Sequence, residues 1–146
     1  MPDPVLVAKA AIVERCVARA REELEASADF RTDFTRQDAA TLNVQRACEA
    51  VLDMAFRLVR TRRLGAPTVS SEAFDLMTSA GLLPSELAGR LKRMVGFRNI
   101  VVHQYRTLSL EVLETVIRSG LDDLLAFSAA ALRLQAPKPP APQASS

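Results

Sequence analysis

The chain has 146 residues, 49% of them hydrophobic, and a formal net charge of +2 at pH 7. That length suits one domain with its own core, and the apolar fraction excludes a disordered chain. Five Gly, no Trp and few aromatics favour helices over strands, and so small a net charge does not by itself indicate nucleic-acid binding.

A first helix is expected from about Pro4 to Ala28, where Val5, Ile12, Val13, Cys16, Val17, Ala20 and Leu24 form one apolar stripe. The opening MPDPVLVAKA has no basic segment followed by a long apolar core, so no secretory leader is read. No apolar run approaches the ~20 residues of a membrane span, and a cytoplasmic protein without membrane contact is expected. Cys16 and Cys48 fall in apolar helical patterns without metal-ligand spacing, and read as buried, reduced thiols. After the connector DFRTDF at 29–34, Thr35 is read as the N-cap of the second and longest helix. Its Val44, Ala47, Val51, Met54 and Leu58 recur at three- and four-residue steps, as in a packing seam. LGAPT at 64–68 ends it with Gly and Pro.

Ser70 or Ser71 is expected to cap a short third helix that stops at Gly81. Pro84 opens a fourth, with Leu87, Leu91, Met94 and Val95 facing inward, and this helix runs directly into RNIVVHQY at 98–105. Ser109 caps a fifth, whose buried line is Leu110, Leu113, Ile117, Leu121, Leu124 and Ala131. Gly120 interrupts that line, which suits close helix packing. The Pro-rich stretch APKPPAPQASS from 136 has almost nothing to bury. The expected fold class is all-α: an antiparallel bundle of about five helices over residues 1–135, with a disordered tail at 136–146. The second and fifth helices are expected to be antiparallel neighbours.

No Gly-rich phosphate loop, zinc-type His/Cys pairing or Gly-x-Ser-x-Gly elbow is present. His103 is the only histidine, which rules out a multi-histidine metal site, and neither metal nor cofactor is expected. The Arg-rich runs RLVRTRR at 57–63 and RLKR at 90–93 read either as solvated helix faces or as phosphate contacts.

The segment that gathers chemistry is RNIVVHQY. Arg98 follows Leu91 and Met94 at steps of seven and four, so it extends the inward stripe and needs a partner or a water-filled cleft. Tyr105 shares that face if the helix continues, whereas His103, five residues on, lies about 140° away. Two arrangements relieve the offset. Either the helix loosens near Val101, Val102 and His103, or a second subunit completes the site across a twofold axis. On the residues alone, Arg98 could equally pair with an acidic neighbour, His103 cap the helix end, and Tyr105 sit in the core.

The segment resembles the Arg-x4-His-x-Tyr signature of the HepT family, which are HEPN-domain ribonuclease toxins, and Asn99 matches the polar residue that often follows the arginine. QDAATLNVQRACEAVLDMA at 37–55, EAFDLMTSAGLLPSELAGRLKRMVGFRN at 72–99 and the closing helix also look like HepT sequence, so the likeness covers about residues 5–130. It implies a toxin that cleaves RNA without metal and is paired with a minimal nucleotidyltransferase antitoxin of the MntA type. By that resemblance Arg98 and His103 are catalytic, with the guanidinium gripping phosphate and the imidazole moving protons. Asn99 and Tyr105 would bind or orient RNA, and Tyr105 would also accept AMP from the antitoxin. A homodimer is the expected assembly. The competing readings are a non-catalytic HEPN subunit that binds nucleotide or supports a nucleotidyltransferase, and a helical scaffold with no ligand.

Overall fold

Helix α1 (Pro4–Ala26) begins at Asp3, whose carboxylate accepts the Val5 amide at 3.0 Å, with Pro4 in the first turn where its missing N–H is harmless. The computed structural model describes residues 3–103 and 109–135, with the backbone alone for residues 101–103 and 135. The expected tail at 136–146 lies outside the described residues.

Helix α1 stops two residues short of Ala28, and α2 (Phe34–Thr61) starts at Asp33 instead of Thr35. Asp33 wins because its carboxylate reaches the Arg36 amide (3.1 Å) while also accepting from the Ser27 hydroxyl (3.4 Å). Thr35 falls inside the first turn. The far end of α2 is closed by Arg63 in the left-handed region (φ 54°), with the Leu64 amide bonded to the Val59 carbonyl at 2.9 Å. Gly65, expected to end the helix, lies beyond it. It serves close approach, since a Cβ there would stand 3.1 Å from Leu76.

Helix α3 (Glu72–Ser79) follows Ser71, but no serine hydroxyl caps it. The Glu72 carboxylate instead holds the preceding loop, accepting from the Thr68 amide and hydroxyl, both at 2.9 Å. Gly81 (φ 75°) closes α3 as expected, with the Leu82 amide on the Met77 carbonyl. Helix α4 (Ser85–His103) follows Pro84, and α5 (Leu110–Thr115) is capped by the Ser109 hydroxyl, which accepts the Val112 amide. A π-helical turn (Val116–Gly120) joins α5 directly to α6 (Leu121–Gln135), so the single expected closing helix is one rod with a widened turn. Arg21 Nε donates to the Ile117 carbonyl within that turn at 3.0 Å.

The expected all-α bundle is what forms, and no strand occurs among the described residues. Helices α1 and α2 are antiparallel, tied by Asp3 to Arg57 and Lys9 to Asp53. Helices α4 and α6 cross antiparallel, with Arg90 on Asp123 and Gly120 against Met94, where an added Cβ would meet the sulfur at 3.3 Å. The close packing expected at Gly120 is therefore present. The expected pairing of the second and closing helices needs correction in direction. Arg31, just before α2, meets Glu114 of α5, and Arg62, just after α2, donates to the Leu134 carbonyl near the end of α6. The two rods run the same way, because the α3–α4 return pass lies between them. Val13, Val44, Met54, Leu91, Ile117 and Leu124 form the core, with Phe74 edge-on to Phe127 at a 5.6 Å centroid distance. No helix among the described residues is long and apolar enough to cross a membrane.

Candidate active site

The apolar stripe of α4 buries Leu87, Leu91, Met94 and Val95, as its spacing predicts, and Arg98 continues it to the point where the core meets solvent. The Arg98 side chain is 28% exposed. Its Nη2 donates to Glu49 Oε1 on α2 at 3.4 Å, and its Nη1 donates to Asn99 Oδ1 at 3.0 Å. The Arg98 Nε is buried and makes no hydrogen bond. The bond to Glu49 is long beside the ~2.7–2.9 Å of a strong charge-assisted pair. Gln45 Nε2 steadies the same Glu49 oxygen from one turn away, at 3.3 Å.

Arg98, Glu49, Leu52, Asp53, Phe56 and Ser70 line a cleft of about 270 Å³. Beside it, the Cys48 thiol is pushed up to about 12 by burial, with the Arg98 charge acting in the opposite direction. Cys48 is therefore a neutral thiol near neutral pH and no nucleophile. Cys16 and Cys48 are both free and buried, as expected.

Of the four residues singled out by sequence, Arg98 and Asn99 are in contact. His103 is the last residue of α4, and the backbone stays α-helical from Arg98 to it. Of the two arrangements that relieve the offset, the loosening near Val101 does not occur, so the two backbone positions stay about 140° apart around the helix axis. Tyr105 lies outside the described residues. No group of three or more His, Cys, Asp or Glu among the described residues is arranged to hold a metal ion.

The two Arg-rich runs do not border the cleft. Arg57 is bound to Asp3, Arg62 to the Leu134 carbonyl, Arg90 to Asp123 and Lys92 to Asp75. Lys9, Arg15 and Arg46 border an adjoining cleft that shares Glu49 and Asp53 with the Arg98 cleft. Sequence reasoning missed Glu49 and these three. Arg46, Glu49 and Asp53 do follow one another at helical steps of three and four, which puts them on one face. The partners of Asp53 on α1 and of Glu49 on α4 are distant in sequence.

Together these features define an all-helical protein in which Arg98, Glu49 and Asp53 line a cleft between α2 and α4. The sequence matches the family described as Ribonuclease HepT-like over residues 13–131. It is 37% identical over 123 residues to the mRNA nuclease HepT of Shewanella oneidensis, covering 84% of this chain and 92% of that protein. The fold superposes on the tri-AMPylated Shewanella oneidensis HEPN toxin in complex with MNT antitoxin with a TM-score of 0.83. The two are 36% identical, with 88% of this chain and 96% of that chain covered. A toxin–antitoxin crystal structure with AMP-PNP gives the same TM-score at 35% identity, covering 88% and 97%. The chain belongs to the ribonuclease HepT-like family.

Proposed function

We propose that this chain is the toxin of a toxin–antitoxin pair, a metal-independent RNA endonuclease acting in the cytoplasm through Arg98, Asn99, His103 and Tyr105. Residues 1–135 form its one HEPN/HepT-like domain. The observation that carries this proposal is the 37% identity to an mRNA nuclease across most of both chains. The position of Arg98 at the mouth of a cleft, on the helix that ends at His103, supports it.

RNA brings its own nucleophile. The 2′-oxygen attacks the adjacent phosphorus, a bond to the 5′-oxygen breaks, and a cyclic phosphate remains. His103 takes the 2′-hydroxyl proton, and the imidazole of a second subunit returns one to the leaving 5′-oxygen. Arg98 binds two non-bridging oxygens and stabilises the charge that builds on the phosphorane, while Asn99 and Glu49 hold the guanidinium in place. A homodimer supplies the second imidazole, and the persistence of the 140° offset along a continuous α4 supports that assembly.

Control comes from an MntA-like nucleotidyltransferase antitoxin. The Tyr105 phenolic oxygen attacks the α-phosphorus of ATP, pyrophosphate leaves, and the partner's own machinery removes the proton. The resulting phosphodiester anion competes for Arg98, and the nucleoside blocks the RNA path.

Expression of wild-type and His103→Ala chains, with growth and total RNA followed together, tests the proposal. Growth arrest with RNA loss from the wild type alone is expected; equal arrest by both would sink it.

A further inference from the structure

We infer that the cleft between α1 and α2 is a second phosphate subsite, which holds the RNA backbone on one side of the scissile position. This rests on the ribonuclease function proposed above. The cleft measures about 260 Å³ and is bordered by Lys9 and Arg15 of α1 and by Arg46, Glu49 and Asp53 of α2. Glu49 and Asp53 also line the Arg98 cleft, so the two hollows share a rim one helical turn long.

The charges around this rim do not balance. Asp53 is engaged by Lys9 at 2.8 Å, and Glu49 by Arg98 and Gln45. Arg15 and Arg46 are exposed and make no hydrogen bond or ion pair with any described residue. Two guanidinium forks therefore stand uncompensated beside a cleft contiguous with the one that holds Arg98. A planar fork with paired donors matches phosphate oxygens, and a strand lying across α2 would meet Arg98 and these two in turn. The apolar lining residues, Ile12, Cys16 and Ala50, are buried or half-buried, so the cleft offers no exposed apolar anchor of the kind a protein partner uses. The Arg-rich runs at 57–63 and 90–93 are not part of this track.

The full-length Arg15→Gln/Arg46→Gln double variant tests the subsite, since both side chains are exposed and outside the core. Binding of a labelled single-stranded RNA with 2′-O-methyl sugars, long enough to reach both clefts, is measured across a salt series. Cleavage of a ribotrinucleotide, which spans the Arg98 cleft alone, is measured in parallel. Two lost phosphate contacts should make the log–log salt slope shallower by about 1.4, at ~0.7 per phosphate on a single strand, and weaken binding on the order of tenfold at low salt. Trinucleotide cleavage should stay at the wild-type level. An unchanged slope overturns the subsite, as does a matching loss on the trinucleotide. Weaker association with the nucleotidyltransferase at an unchanged RNA slope would assign the cleft to the antitoxin and also overturn it. If the wild type cleaves neither the ribotrinucleotide nor an all-ribose strand of the longer length, the ribonuclease function itself fails and the subsite with it; wild-type cleavage with an unchanged slope removes the subsite alone.

Discussion

Glu49 of α2 accepts a hydrogen bond from Nη2 of Arg98 on α4 at 3.4 Å, so the guanidinium at the cleft is tethered across the helix interface as well as to the adjacent Asn99. The same carboxylate would repel the phosphate that Arg98 is proposed to bind. Glu49→Gln keeps a neutral acceptor and removes that repulsion, so KM for RNA should fall. Stability should change by less than about 1 kcal/mol, because the Glu49 side chain is 43% exposed and solvent screens a pair this long. Steady-state kinetics and urea melts check both points; a raised KM would contradict the tether-and-compete relationship.

The unbroken helix between Arg98 and His103 leads to the second prediction. The two backbone positions lie about 140° apart on one α4, so the working unit should be a twofold dimer with its RNIVVHQY segments facing each other. Sedimentation at micromolar concentration should show a dimer. Mixing Arg98→Ala with His103→Ala chains should also restore part of the cleavage that each lacks alone. An active monomer would refute this arrangement.

Much of the fold was legible in the sequence because it rests on periodicity. The seam Val44, Ala47, Val51, Met54 and Leu58 is buried throughout, and Leu91, Met94 and Ile117 lie where their spacing puts them. The misses have local causes. Asp33 and Thr35 are both good caps two residues apart, and only the geometry of the Ser27 side of the loop decides between them. The left-handed residue after α2 is Arg63, at a position that glycine usually fills, with Gly65 close by as the stronger signal. The direction of α6 relative to α2 depends on how α3 and α4 return the chain, which no spacing reports. In the site, the need of Arg98 for a partner was readable. Glu49 as that partner, 49 residues away, required the packed fold.

Modification by the antitoxin gives a third prediction. Incubation with an MntA-like partner and ATP should add AMP to Tyr105 and abolish RNA cleavage. Tyr105→Phe keeps the ring and removes the acceptor oxygen, so it should escape modification and remain toxic in the antitoxin's presence. Mass spectrometry decides, and AMP found only on another residue would overturn this control.

A fourth concerns pH. Burial raises the Cys48 thiol to about 12 from 9.0, which means that the folded state holds a proton the unfolded chain releases earlier. Its stabilising contribution is complete below pH 9 and is lost as pH rises toward 12. Across that window this group alone should shift the unfolding equilibrium toward the unfolded state by up to about tenfold per pH unit. Urea melts of Cys48→Ala should show a shallower alkaline dependence than the wild type. Identical slopes would show that the thiol is not held in its neutral form.

The most direct test of the central claim is RNA cleavage by the purified chain in EDTA, compared among wild type, Arg98→Ala and His103→Ala at matched thermal unfolding. The wild type should cleave all-ribose RNA without added metal, and should leave intact a strand whose 2′-hydroxyl is missing at the cleaved position. Each variant should lose on the order of 10²–10⁴ in rate, the cost of removing an oriented proton-transfer or charge-stabilising group. Full activity in His103→Ala, or cleavage that requires added metal, would contradict the mechanism.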